Sequence, residues 1–224
     1  MSLSRQPTLV LIDLDGTLVD SVPDLAYCLD EMMTALGLEP WGIEKARGWV
    51  GNGVDRLVKR ALTDALWEDP ADELFARAQP IFMALYAENT SGRSGLYDGV
   101  VDGLDFLKSA GFKVGCVTNK AEAFTLPLLK DVGIYDYFEI IVSGDTTAKK
   151  KPDPMPLLYA AEKMGVAAED CLMVGDSMHD VEAARSAKFQ VVSVPYGYNH
   201  GIDIRDAKPD AVIESLAELK TLLS

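Results

Sequence analysis

One pattern constrains this chain more than any other: short apolar segments, each stopped by a polar cluster and followed by a helical repeat. The first segment, residues 8–12, contains Leu9, Val10, Leu11 and Ile12 and stops at Asp13. Its length and its Leu, Val and Ile content suit a strand buried on both faces. From Gly99 onward the same unit recurs. Strands are expected at 112–117, 139–143, 171–174, 190–194 and 211–213, with helices at 100–110, 121–132, 156–164, 180–187 and 216–223. Strands alternating with helices require right-handed crossovers and hence a parallel sheet covered on both sides.

The stretch between the first strand and Gly99 follows a different period. Ser21 and Asp24 have the spacing of a capping box, and Pro23 suits a helix's first turn. Leu25, Leu29, Met32 and Leu36 then recur at helical spacing, and Gly37 ends the run. Further helices are expected at 54–66 and 71–88, the latter kinked at Pro80. Residues 20–90 carry no strand pattern. The expected fold is therefore α/β: a Rossmann-like, doubly wound parallel sheet core from residues 1–19 and 93–224, with an all-helical domain, 20–92, inserted after the first strand. The joints near Asp20 and at 92–95 are expected hinges.

Composition narrows the function classes. The 224 residues are 48% hydrophobic and 25% charged, the profile of a globular protein that folds without disulfide or metal staples. The formal net charge of −14 argues against nucleic acid and anionic membrane as partners, since both demand a positive face. It also means that an anionic substrate needs a locally positive site. Cys28, Cys116 and Cys171 lie far apart with no metal-ligand spacing, and read as buried reduced thiols of a cytoplasmic protein. Residues 1–6 lack the apolar run of a secretory leader, and no stretch approaches a membrane span.

Ligands of open α/β sheets bind at the carboxyl ends of strands. Four such ends are polar: Asp13-Leu14-Asp15-Gly16-Thr17, Thr118-Asn119-Lys120, Lys151-Pro152 after a lysine run, and Gly175-Asp176-Ser177 with Asp180 close behind. On an extended chain, residues two apart face the same side, so Asp13 and Asp15 crowd two carboxylates together. A cation or a bound proton relieves that crowding. One carboxylate can then attack phosphorus while its neighbour serves as acid and base. Asp176 and Asp180 add oxygens of the kind that suit Mg²⁺. Asn119 opens a helix whose free N–H groups favour an anion, and Lys151 supplies mobile positive charge. Singly, each cluster reads as a turn, a helix cap or a solvated loop. All four in this order, each at a strand end, point to chemistry.

The four clusters resemble the motifs of the haloacid dehalogenase superfamily, over a span from Asp13 to Asp180. The resemblance implies Asp13 as nucleophile and Asp15 as acid/base. It implies Mg²⁺ held by Asp13, the main-chain carbonyl of Asp15 and Asp176, with Asp180 assisting. It assigns the phosphate to Thr118, Asn119 and Lys151, and makes the helical insertion a cap over a small phosphorylated metabolite. The second acid, Asp15, separates the chain from the dehalogenases, and Thr17 stands where phosphoglucomutases tend to carry Val. Trp49-Val50-Gly51-Asn52-Gly53 is similar to the cap specificity loop of bacterial phosphoglycolate phosphatases, with Gly51, Asn52 and Gly53 as substrate-binding candidates. Asp20-Ser21 and 96–100 share that likeness. The function so implied is Mg²⁺-dependent hydrolysis of 2-phosphoglycolate through an aspartyl-phosphate, by a monomer or homodimer.

Two alternatives stand beside it: another sugar-phosphate phosphatase or a pyrophosphatase of the same superfamily, and a phospho-acceptor signalling domain. Of the remaining residues, His179 reads as an exposed helix residue and His200 as part of a Tyr/Gly-rich loop. Lys149 and Lys150 read as solvated. Trp41, Trp49 and Trp67 read as packing in the helical block, with Trp49 a candidate for the substrate slot.

Overall fold

A computed structural model describes residues 3–224. Residues 1 and 2, the start of the expected core segment and of the stretch read as lacking a leader, lie outside the described residues. The first strand, β1 (Leu9–Ile12), is wholly buried. Its alternation serves two cores at once: Val10 and Ile12 face one apolar cluster, Leu9 and Leu11 the other. Only a central strand of a three-layer α/β sandwich has such surroundings.

After β1 come β2 (Val19–Asp20), α1 (Val22–Ala35), α2 (Ile43–Arg47), α3 (Val54–Thr63), α4 (Asp72–Glu88) and β3 (Gly95–Leu96). The alternating part follows with α5 (Val100–Ser109), β4 (Lys113–Val117), α6 (Glu122–Asp131), β5 (Ile140–Val142), α7 (Met155–Met164), β6 (Cys171–Gly175), α8 (Met178–Ala187), β7 (Gln190–Ser193), β8 (Ala211–Val212) and α9 (Leu219–Leu222). Six strands pair in parallel in the order β5-β4-β1-β6-β7-β8. Counted along the sheet this is the doubly wound order 3-2-1-4-5-6, whose direction of winding reverses beside β1. The α/β expectation holds.

Helices α1, α3 and α4 bury a third apolar cluster, centred on Leu29, Met32, Val58 and Phe82. It reaches the rest of the molecule through Phe124 of α6 and through Tyr198. The α4 helix runs through Pro80 without interruption. Two features escaped the sequence reading. The five-residue α2 is too short to show a period, and β2 and β3 form a two-residue antiparallel ladder, Val19↔Leu96 and Asp20↔Gly95. That ladder ties together the outgoing and returning chain.

The expected capping box at Ser21 and Asp24 does not form. Ser21 makes no cap hydrogen bond, and its hydroxyl is buried without a partner among the described residues. Asp24, fully buried, instead reaches across to the returning chain. It accepts from the main-chain N–H of Arg93 at 2.9 Å and of Ser94 at 2.8 Å, and from the Ser94 hydroxyl at 2.6 Å. The Arg93 guanidinium adds a longer contact at 3.4 Å. Three donors on a neighbouring segment outweigh one local N–H. Asp24→Ala should therefore cost about 2–4 kcal/mol, because it strands buried donors and an ion-pair partner. Urea denaturation measures the loss, and a change below about 0.5 kcal/mol would show that the clamp contributes nothing.

Candidate active site

The four polar clusters meet at the winding reversal, three of them at strand ends and Lys151 from within a connection. Asp13 follows β1, Thr118 and Asn119 follow β4, and Asp176 follows β6; Lys151 enters from the β5–α7 connection. Asp13, Asp15, Thr118, Asn119, Lys151, Asp176 and Ser177 line a cavity of about 50 Å³. From the helical side Leu25, Val50, Gly51, Gly53, Val54 and Leu57 close it. The space suits a group of a few heavy atoms.

Lys151 is the hub. Its ammonium, almost fully buried, sits 2.8 Å from Asp13 Oδ1, 2.7 Å from Asp180 Oδ1 and 2.7 Å from the Val117 carbonyl. Burial alone would lower its pKa, but Asp13 and Asp180 outweigh burial and raise it. The Leu14 N–H also donates to Asp13 Oδ1, at 2.8 Å. Both donors thus engage Oδ1, and none among the described residues engages Oδ2. Asn119 holds the hub's backbone on both sides: its Oδ1 accepts from Lys151 N at 3.0 Å, and its Nδ2 donates to Lys151 O at 2.9 Å. A longer contact, 3.3 Å, joins Asn119 Nδ2 to the Gly51 carbonyl.

Asp180 forms the capping box that was expected elsewhere. Its Oδ2 accepts from the Ser177 N–H at 3.1 Å and the Ser177 hydroxyl at 2.7 Å. It thereby fastens the start of α8 while its other oxygen fastens Lys151. Capping and chemistry are not competing assignments for this residue. Asp176 accepts from the Thr17 hydroxyl at 3.0 Å and from the Tyr198 N–H. Gly16, at φ +87°, leaves no room for a side chain: a Cβ there would lie 2.3 Å from Asp176 Oδ2.

Oxygens of Asp13, Asp176 and Asp180 lie within 4.8 Å of one another. Burial raises Asp13 to about 7, with Asp180 adding to the rise and Lys151 opposing it. Burial, then Asp180 and Asp13, raises Asp176 well above the usual carboxylate range. Asp13 and Asp180 share one ammonium and Asp176 has none, which leaves negative charge that a divalent cation would neutralise, so the donor set fits such an ion. Asp15 does not join this cluster. Its side chain turns to Lys120, with Nζ at 2.9 and 3.0 Å from its two oxygens. Lys120 is buried and also lies 5.1 Å from the centre of the Tyr86 ring. Burial would lower its pKa, yet Asp15 and Tyr86 raise it.

Sequence reading missed Lys120 as a partner of Asp15, although it stands next to Asn119 at a strand end. It also missed Tyr198, whose hydroxyl bonds Asp20 at the β2 joint while its N–H bonds Asp176. No sequence signal marks Tyr198, since both contacts depend on the path of a long loop. His179 is half-buried at the cavity edge, not exposed. Gly51 and Gly53 face the cavity, whereas the Asn52 amide meets His179 and Arg60. Trp49 packs edge-on against Trp41 at 5.5 Å rather than lining the cavity. Lys149 and Lys150 are exposed, and all three cysteines are buried and free.

Comparison with known proteins places the chain in a family. The family model for haloacid dehalogenase-like hydrolases matches residues 7–188. The chain belongs to that family. A phosphoglycolate phosphatase of Nitrosococcus oceani is 61% identical over 220 residues, covering 98% of each chain. One from Thiobacillus denitrificans is 49% identical over 215 residues, covering 96% of this chain and 95% of its own. The crystal structure of a predicted phosphoglycolate phosphatase from Haemophilus somnus superposes with a TM-score of 0.92 at 34% identity, covering 99% of this chain and all of that one. Among the described residues, no helix is long and apolar enough to cross a membrane.

The raised carboxylates give the metal-free protein a definite pH response. A group with a higher pKa folded than unfolded binds more protons in the folded state, so stability falls as pH rises between the two values. For Asp13 that window runs from about 4 to about 7. The metal-free melting temperature should therefore drop from pH 5 to pH 8. Added divalent cation should recover much of the loss, and Asp176→Asn should flatten the slope. A melting temperature insensitive both to pH and to metal would contradict the charge account.

Proposed function

We propose that this protein is a Mg²⁺-dependent phosphatase that converts 2-phosphoglycolate to glycolate and phosphate through an aspartyl-phosphate on Asp13. The observation that carries the reading is the convergence of Asp13, Thr118, Lys151 and Asp176 on one small cavity. The substrate is supported by relatives named phosphoglycolate phosphatase that match nearly end to end.

Asp13 is the nucleophile, and Oδ2 is the attacking oxygen because Oδ1 is engaged by Lys151 and Leu14 N–H. An Oδ2–phosphorus bond forms as the bond from phosphorus to the glycolate oxygen breaks. Asp15 gives that oxygen its proton. Water then attacks the phosphorus and loses a proton to Asp15, which releases phosphate and restores the Asp13 carboxylate. Lys151 and Thr118 neutralise and orient the phosphoryl oxygens. Asn119 acts through Lys151 by holding its main chain. Asp13, Asp176 and the Asp15 carbonyl would hold Mg²⁺, with Asp180 nearby; when bound, the ion offsets the charge of carboxylate and phosphate.

Residues 20–92 serve as a cap over this site, moving on the joints near Asp20 and 92–95. Gly51 and Gly53 present main-chain groups to the substrate, and Lys120 orients Asp15. The enzyme works in the cytoplasm, where its three buried thiols remain reduced, as a monomer or a homodimer.

A panel of phosphate esters assayed for released phosphate tests the reading. 2-Phosphoglycolate should be turned over with a kcat/KM at least about tenfold above glycerol phosphates, hexose phosphates and pyrophosphate. Equal rates across the panel would remove the substrate assignment. Exhaustive chelation should abolish turnover and added Mg²⁺ should restore it. Asp13→Asn should lower kcat by roughly 10³-fold or more while leaving the fold intact. Substantial residual turnover would end the nucleophile assignment.

A further inference from the structure

Arg60 lies in the interior of the helical insertion with its side chain completely buried, beneath the loop of residues 48–53. Its three hydrogen bonds all go to neutral oxygens. Nε donates to the Leu66 carbonyl at 3.1 Å, Nη1 to the Trp49 carbonyl, and Nη2 to Asn52 Oδ1. Burial, with the neighbouring Arg56, lowers the guanidinium to about 10. Among the described residues it has no acid partner, and a buried charge without one is costly to keep. Removing it would leave these three oxygens without their donor, so the guanidinium ties the loop to the insertion's interior.

The other face of the same loop meets two imidazoles from the α/β core. Asn52 Nδ2 lies 2.9 Å from His179 Nε2, in the first turn of α8. His200, in the loop after β7, has Nδ1 2.9 Å from the Gly48 carbonyl. The two rings stand edge-on with centres 6.2 Å apart. Donor logic fixes the direction of the network. A guanidinium only donates, so the Asn52 oxygen must face Arg60. Its NH₂ then faces His179, whose Nε2 must accept. A chain of hydrogen bonds therefore runs from the insertion's interior, through Asn52, to the helix that carries Asp180.

We propose that Arg60, Asn52 and His179 form a positioning relay that fastens the 48–53 loop over the cavity and so sets substrate affinity. Asn52 acts through its neighbours, while Gly51 and Gly53 line the cavity. Those two glycines, at φ +136° and +85°, leave the loop free to move unless something holds it. Holding it before substrate arrives removes an ordering cost from binding. The relay rests on the phosphatase reading for its role in affinity, but not for its existence as a cap-to-core contact.

The test is a double-mutant cycle, Asn52→Ala and His179→Ala, followed by phosphate release from the ester that the wild type turns over best. Each single change should raise KM about tenfold with kcat altered less than about threefold, and the double variant should be no worse than the poorer single one. Losses that multiply in the double variant would overturn the relay. Arg60→Met, which removes the donors at similar volume, should lower the melting temperature by stranding three acceptors yet stay folded by circular dichroism at the assay temperature, while raising KM to the same extent. An unchanged KM in that folded variant would also overturn the relay. Failure of 2-phosphoglycolate alone would remove the substrate assignment and leave the cycle to be judged on another ester. Amide exchange of residues 48–53 needs no substrate: it should quicken in both Asn52→Ala and His179→Ala, and unchanged exchange would count against the relay.

Discussion

The buried ammonium of Lys151 is the contact on which the site depends. It joins the end of β1 through Asp13, the end of β4 through the Val117 carbonyl and the start of α8 through Asp180. Without it, three largely buried carboxylates with oxygens within 4.8 Å would face one another. With it, the cluster remains short of positive charge, and a divalent cation can complete it. The net charge of −14 sharpens the point, because the cavity must attract an anion against the field of the whole molecule.

The sheet explains why these groups can meet. Parallel strands in the order β5-β4-β1-β6-β7-β8 align their carboxyl ends on one rim, and winding reverses beside β1. Residues as distant along the chain as Asp13 and Asp176 therefore follow neighbouring strands in register, Ile12 opposite Val174. Close backbone approach then demands glycine at position 16, where any side chain would collide with Asp176.

The helical insertion is fastened at its base and at its tip by different chemistry. At the base, the β2–β3 ladder and the Asp24 clamp bind the two crossing chains together. Tyr198 links that base to the carboxylate cluster, bonding Asp20 through its hydroxyl and Asp176 through its N–H. At the tip, neutral amide and imidazole groups meet the core. The base thus combines main-chain pairing with charge-assisted bonds, whereas the tip is held by neutral bonds alone among those described.

Much of this was legible in the chain. Apolar runs ending at Ile12, Val117 and Gly175 marked three central strands and the polar clusters directly after them, because hydrophobic period and turn residues act locally. The long amphipathic helices were equally plain, whereas α2 and the two-residue ladder were too short to show a period. Side-chain partners were a different matter. Asp24 carried the spacing of a cap and became a clamp to Arg93 and Ser94, and Asp180 became both a cap and a partner of Lys151. Lys120 stood in a polar strand end but nothing local named Asp15 as its partner, and Tyr198 gave no signal at all. Such choices were decided only by tertiary structure: a carboxylate or an amide takes the nearest donors, and which donors are nearest depends on how segments far apart in sequence fold against each other.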